Sequence, residues 1–278
     1  MALVSVHERL AALAANRTAG AAELLAEALD ILFAARAANA DMRAVAHAIC
    51  EAQPTMAPLW NAAAAATARD SERLNQFAER VRRAPATLAR YAAAHFVDDD
   101  PKRRLRIVTI SFSSSVVVAV EAIRAIRPLS VSCSESRPAL EGRRLAAHLA
   151  AAGIPVTCFG DAAIGHALLE ADAVIVGADA IAPYWFLNKS GTRMLAAAAT
   201  QQGVPVYVAA TRDKFVGQEL SARLVIRHGD PGEIWTKPPD GVDVRNPYFE
   251  STPLDLVTAV ISDVGVLGTG MIPDVCEH

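Results

Sequence analysis

Two helical patterns in this chain end in the same way, at Gly153-Ile154-Pro155-Val156 and at Gly203-Val204-Pro205-Val206. Glycine takes the left-handed conformation that closes a helix, and the proline after it bars continuation. An apolar, β-branched run then starts at once, as a strand buried on both faces requires. Runs of this kind occupy residues 105–110, 129–133, 156–159, 173–176 and 206–210. Helical patterns over 138–152, 162–171 and 189–202 lie between several of them. Strand–helix alternation of this sort constrains the chain to an α/β fold with a parallel, doubly wound sheet.

Each run is followed by polar residues: Ser111, Ser113, Ser114 and Ser115; Glu135, Ser136 and Arg137; Asp161; Gly177-Ala178-Asp179; Thr211, Arg212 and Lys214. In open α/β sheets ligands bind beyond the carboxyl ends of the strands. The pattern therefore predicts one crevice combining acids, hydroxyls and cations, sized for a small anionic molecule. The serine run either caps the next helix or offers that helix's N-terminal amides to an anion. Asp179 follows a strand too apolar to favour an unpaired charge, so desolvation should raise its pKa and suit it to proton exchange near neutrality. The structural alternative is that Asp179 caps a helix or pairs with Lys189 or Arg137.

The usual chemistries of such a sheet lack their residues. A nicotinamide site needs a glycine-rich first turn, and this one reads Ser111-Phe112-Ser113-Ser114-Ser115. No P-loop is present, no histidine pair has the spacing of a helical metal site, and there is no nucleophile elbow. No cofactor and no metal are expected. The net charge of -3 gives no field for nucleic acid. No apolar run nears the roughly 18–20 residues of a membrane span. Residues 1–10 lack a signal-peptide core, and Cys50, Cys133, Cys158 and Cys276 show no C-x-x-C spacing, so the expected location is the cytoplasm.

Residues before 100 carry helical spacing over 18–36, 71–83 and 86–96, with Ser71 as a candidate N-cap and Pro85 expected to kink or split a helix. Asp98-Asp99-Asp100-Pro101 supplies a polar break. The expected division is a helical domain over 1–100 and a Rossmann-like domain over 101–278. Residues 222–227 read as a further strand, and 235–247 have too many turn residues for regular structure.

Glu135-Ser136-Arg137-Pro138 with Glu141-Gly142-Arg143, then Gly177-Ala178-Asp179, then Asn188-Lys189-x-Gly191-Thr192, resemble one superfamily. It holds the alpha, beta and delta subunits of eukaryotic initiation factor 2B, methylthioribose-1-phosphate isomerase and ribose-1,5-bisphosphate isomerase. Asn246-Pro247-Tyr248-Phe249-Glu250-x-Thr252-Pro253 is similar to its closing motif, and Gln53-Pro54-Thr55-Met56 to an R-P-T-M-type segment. The resemblance implies a helical N-terminal domain, a Rossmann-like domain of the NagB/RpiA/CoA-transferase-like kind, and a homodimer or higher homo-oligomer. It implies a small phosphorylated ligand. In the isomerases it also implies aldose–ketose chemistry using a cysteine and an aspartate, the latter matching Asp179.

Four positions depart from that pattern. Ser111 or Phe112 stands where the isomerase cysteine follows the first strand; Cys133, on the neighbouring strand, is the candidate substitute. Gln53 replaces an arginine, Ala19-Gly20 replaces an arginine-glycine pair, and Pro183-Tyr184-Trp185-Phe186-Leu187 replaces a polar, glycine-bearing loop, which should bury backbone under aromatic rings. The expected function is an initiation-factor-2B-like protein that binds a sugar phosphate or nucleotide without the cysteine-dependent chemistry. The alternative is an isomerase of altered specificity. The candidate catalytic residues are Asp179 and Cys133; the candidate ligand-binding residues are Ser111, Ser113, Ser114, Glu135, Arg137, Gly177, Asn188 and Lys189.

Overall fold

The structure is a computed structural model that describes residues 5–16, 18–98, 100, 102–226 and 228–277. Helices come first: α1 (Val6–Ala15), α2 (Ala21–Ala37), α3 (Met42–Ala52), α4 (Ala57–Ala66) and α5 (Arg73–His95). Leu24, Ala28, Ile31, Leu32 and Ala35 form one face of α2 and pack on Leu13, Ile49, Leu59 and Phe77. Pro85 does not split α5, which runs through it without interruption. Burial on both sides holds the helix across the missing N–H: Leu74 and Phe77 sit in the helical core, Leu88 and Ala92 in the core of the sheet. Ser71 does not cap α5; the carboxylate of Asp70 accepts from the Glu72 amide instead.

The second half alternates as expected: β1 (Leu105–Thr109), α6 (Ser114–Arg124), β2 (Leu129–Ser134), α7 (Glu141–Ala151), β3 (Val156–Phe159), β4 (Ala173–Val176), β5 (Ala180–Ile181), β6 (Trp185–Lys189), α8 (Thr192–Gln201), β7 (Val206–Ala209), α9 (Gln218–Ser221), β8 (Phe249–Pro253), β9 (Ala259–Ser262), β10 (Gly265–Gly268) and α10 (Ile272–Glu277). Gly153 and Gly203 close α7 and α8 with φ of 75° and 72°. The amides of Ile154 and Val204 reach back to the carbonyls of Leu149 and Ala199, the bonding of a glycine-terminated helix.

The main sheet runs β10-β9-β7-β4-β1-β2-β3, with β10 antiparallel and every other pairing parallel. Counting outward from β1, the order climbs through β2 and β3 on one side and through β4, β7 and β9 on the other. The reversal between β1 and β4 is the switch point where a doubly wound sheet opens a crevice. A small antiparallel sheet, β5-β6-β8, follows directly on β4.

Several expectations change here. The helix expected over 162–171 is a tighter 3-10 helix, Asp161–Glu170, which still buries Ile164 and Leu168. The helix expected from 189 starts at Thr192, because Lys189 ends β6. Residues 222–226 form no strand. Val225 bonds the helical half instead, its amide donating to Pro54 O and its carbonyl accepting from Thr55 Oγ1. Arg227, with residues 1–4, Arg17, Asp99, Pro101 and His278, lies outside the described residues, so only Asp98 and Asp100 of the polar break are seen. Among the described residues no helix is long and apolar enough to cross a membrane.

Candidate functional site

A cleft of about 480 Å³ opens at the switch point, between the strand ends and the helical half. Its wall on the β1 side is the serine run. Ser111 sits in the left-handed region at φ 65°, held there by its amide donating to Ser136 Oγ at 2.8 Å. Ser113 caps α6, its Oγ accepting from Val116 N at 3.5 Å. Gly177 permits this: a Cβ there would stand 2.4 Å from Ser113 Oγ. Ser111, Ser113 and Ser114 thus line the cleft at the N-terminus of an 11-residue helix, where amides and dipole favour an anion.

Opposite lies Asp179. Its backbone is pinned on both sides, the amide donating to Leu187 O at 2.8 Å and the carbonyl accepting from Ala57 N at 3.2 Å. Its carboxylate makes no hydrogen bond or ion pair among the described residues. Burial pushes its pKa from 3.8 up to about 6, against the opposing pull of Lys214 and Lys189 and with a smaller push from Glu141. Lys189 and Lys214 are both buried cations that line the cleft. Lys189 Nζ bonds Glu141 Oε1 at 2.9 Å and lies 4.4 Å from the centre of the Tyr248 ring. Glu141 Oε2 is buried with no partner among the described residues.

The helical half closes the other side. Gln53 Nε2 donates to Leu13 O and Asn16 O, both at 2.8 Å. The side chain at this departure is therefore spent on the end of α1, and supplies no cation to the cleft. Ala19 and Gly20 line the cleft without charge. Asn61 Nδ2 donates to Asp213 O at 2.7 Å and Phe215 O at 3.0 Å, tying α4 to the loop that carries Lys214.

Of the expected site residues, Ser111, Ser113, Ser114, Asp179, Asn188 and Lys189 meet in the cleft. Asn188 also orders the start of α8, its Nδ2 donating to Thr192 Oγ1 at 2.9 Å. Gly177 is buried behind Ser113 and positions it. Cys133 does not reach the cleft. It lies inside β2, facing Leu145 and Leu149 of α7 in the core, and burial beside Cys158 pushes its thiol up to about 12. Glu135 and Arg137 also stay outside. Asp161 accepts the amides of Ser136 and Arg137 and turns that loop away, while Arg143 and Arg137 hold Glu135. The aromatic segment does not cover the cleft either: Phe186 is in the core, Trp185 packs beside Val216, and Tyr184 is exposed.

Glu141, Lys214, Arg144, Glu233 and Tyr248 line the cleft without having been singled out. Lys214 stood in a strand-end cluster, and Glu141 and Tyr248 in quoted motifs, so these carried a signal. Glu233 ends a short 3-10 turn, Pro231–Glu233, and carried none; its Oε2 accepts from Tyr248 OH at 2.8 Å and Asn246 Nδ2 at 2.7 Å.

The raised pKa of Asp179 has a stability consequence. A carboxyl whose folded pKa lies above its unfolded value opposes folding when ionised. The penalty is absent below about pH 4, grows as pH rises, and is complete above about pH 6. Asp179→Asn mimics the neutral acid, so it should gain on the order of 3 kcal/mol at about pH 8 and nothing at about pH 4. Urea denaturation at both values reads this; a gain independent of pH would contradict the assignment.

The Initiation factor 2 subunit family matches residues 2–269. A methylthioribose-1-phosphate isomerase of Heliobacterium modesticaldum is 40% identical over 171 residues, 58% of this chain and 49% of that protein, so the match spans about half of that relative. A ribose 1,5-bisphosphate isomerase of Archaeoglobus fulgidus is 30% identical over 241 residues, 82% of this chain and 76% of that one. The solved translation initiation factor eIF-2B of Pyrococcus horikoshii OT3 superposes with a TM-score of 0.80 at 29% identity, covering 96% of this chain and 97% of its own. With the match running through both halves and over the motifs of the cleft, this chain belongs to the Initiation factor 2 subunit family.

Proposed function

We propose that this protein binds a sugar phosphate in the cleft and does so without a cysteine-dependent isomerisation step. The observation that carries the reading is the company Asp179 keeps. The α6 N-terminus, three serines, Lys189 and Lys214 converge on it, whereas Cys50, Cys133, Cys158 and Cys276 all lie outside the cleft. A volume of about 480 Å³ suits a small organic phosphate. Charge narrows the class further. The lining cations Lys189, Lys214 and Arg144 face Glu23, Glu141, Asp179, Asp230 and Glu233. That balance favours a ligand with one phosphate over a bisphosphate.

A second reading keeps the chemistry. A phosphate ester at C1 blocks spontaneous ring opening, so an aldose–ketose isomerase must move protons itself. Asp179, with a pKa of about 6, is suited to that work, and a hydroxyl of the 111–115 run would complete the site. The relatives named as isomerases favour this reading.

One experiment separates the two. Ribose 1-phosphate, ribose 1,5-bisphosphate and methylthioribose 1-phosphate are each incubated with the wild type and with Asp179→Asn, following ketose product by mass spectrometry and thermal stability in parallel. The proposal expects stabilisation by a monophosphate and no ketose. Ketose that disappears in the variant would establish the second reading. Neither product nor stabilisation would sink both. The same reading includes a homo-oligomer, supported by the exposed Val225, Ile234 and Trp235; a monomer by light scattering would remove that part.

A further inference from the structure

Two thiols that the cleft does not use stand side by side at the edge of the sheet. β2 and β3 are parallel neighbours, and their register pairs Val131 with Val156, Ser132 with Thr157 and Cys133 with Cys158. Side chains alternate faces along a strand, so residues in register on adjacent strands point to the same face. Neighbouring strands lie about 4.8 Å apart, inside the Cα separation of about 4.4–6.8 Å that a disulfide spans. Cys158 lies close enough to add to the upward push that burial exerts on the Cys133 thiol.

Their surroundings differ in a useful way. Cys158 is exposed on the edge strand, open to a reagent in solution. Cys133 is fully buried, its Sγ 3.7 Å from Gly142 O at the start of α7. Cys50 and Cys276 are buried elsewhere, Cys50 with Ala46 and Ala63 and Cys276 against Ile181 O. One thiol is therefore placed to meet an oxidant, and a second is held against it where the oxidant cannot reach.

We propose that Cys158 and Cys133 form a redox site that takes a small soluble disulfide as co-substrate and closes to an intramolecular disulfide. In the first step the Cys158 thiolate attacks one sulfur of R–S–S–R. The Cys158–S bond forms, the R–S–S–R bond breaks, and one R–S⁻ departs. In the second step Cys133 sulfur attacks Cys158 sulfur, expels the remaining R–S⁻ and passes its proton to it. In total, two protein thiols lose two electrons and two protons, and one small disulfide becomes two thiols. The order follows from access and ionisation. Burial holds the Cys133 thiol protonated, so it acts only as the second, intramolecular nucleophile, where proximity offsets its weak ionisation. Glu141 of the cleft adjoins the Gly142 carbonyl that faces this thiol, so the redox site lies one residue from the ligand site.

The test uses the full native chain with oxidised glutathione, quenched by acid and read by peptide mass spectrometry. The expected product is one cross-link, Cys133 to Cys158, with two glutathiones released and with Cys50 and Cys276 still free after unfolding and alkylation. Cys158→Ser, at an exposed position, should leave the native protein unreactive. Persistence of glutathione on Cys158, a cross-link to another cysteine, no reaction at all, or undiminished oxidation of the Cys158→Ser variant would each overturn the proposal.

Discussion

Gly142→Ala is expected to destabilise the protein by about 3 kcal/mol or more, although the substitution lies in a helix where alanine is ordinarily favoured by about 1 kcal/mol. The sign turns on one contact. A Cβ at Gly142 would stand 1.7 Å from Ser134 O, with Ser134 C and Ser136 Oγ each at 2.9 Å. Ser134 is the last residue of β2, paired with Phe159 of β3, so its carbonyl cannot swing aside as a side-chain tip would. α7 must therefore lift from the sheet, or β2 must bend. Either movement displaces Glu141 from Lys189 and Ser136 from the Ser111 amide, so ligand-induced stabilisation should fall with the fold. Gly165→Ala is the matched control: nothing lies within 4 Å of a Cβ there, and the change should be neutral or stabilising by about 0.5 kcal/mol. Urea denaturation of the two variants side by side measures the contrast. Equal effects would mean that α7 and β2 are not packed as closely as the geometry requires.

The strand ends were legible in the sequence because burial on both faces leaves unbroken apolar runs, and the glycine–proline stops mark where they begin. The position of the cleft followed from them, since Ser111, Asp179 and Lys214 all lie just past a run. What failed had a common cause: direction. Cys133 lies within β2, so its side chain stands perpendicular to the sheet, under α7, and cannot point off the strand's end. Glu135 and Arg137 do lie past the end, but Asp161, distant in sequence, captures the Ser136 and Arg137 amides and turns the loop outward. Trp185-Phe186-Leu187 looked like a loop because it is short and interrupts a motif; it is a strand of the second sheet, with Phe186 in the core. Glu233 had no local signature at all. It reaches the cleft because Asn246 and Tyr248 hold an irregular segment against β8, a contact no periodicity encodes.

Lys189→Met separates the structural from the recognition role of the buried cation. Lys189 and Glu141 are mostly buried, with side-chain exposures of 4% and 18%, and bond at 2.9 Å. Removing the lysine leaves a carboxylate whose Oε2 already lacks a partner. Breaking one side of a buried pair is strongly destabilising, and about 3 kcal/mol is expected here, the lower end because Glu141 keeps some solvent. A second substitution, Glu141→Gln, removes the stranded charge, so the double variant should recover most of that loss. Affinity for the phosphate ligand should not recover with it. A charge-assisted hydrogen bond is worth about 1.5–3 kcal/mol, which corresponds to roughly 10- to 100-fold weaker binding. Stability by urea denaturation and affinity by calorimetry therefore diverge in the double variant if Lys189 is a ligand to phosphate. A double variant that folds and binds like the wild type would leave Lys189 as the partner of Glu141 alone, and pass the phosphate to Lys214 and the first turn of α6.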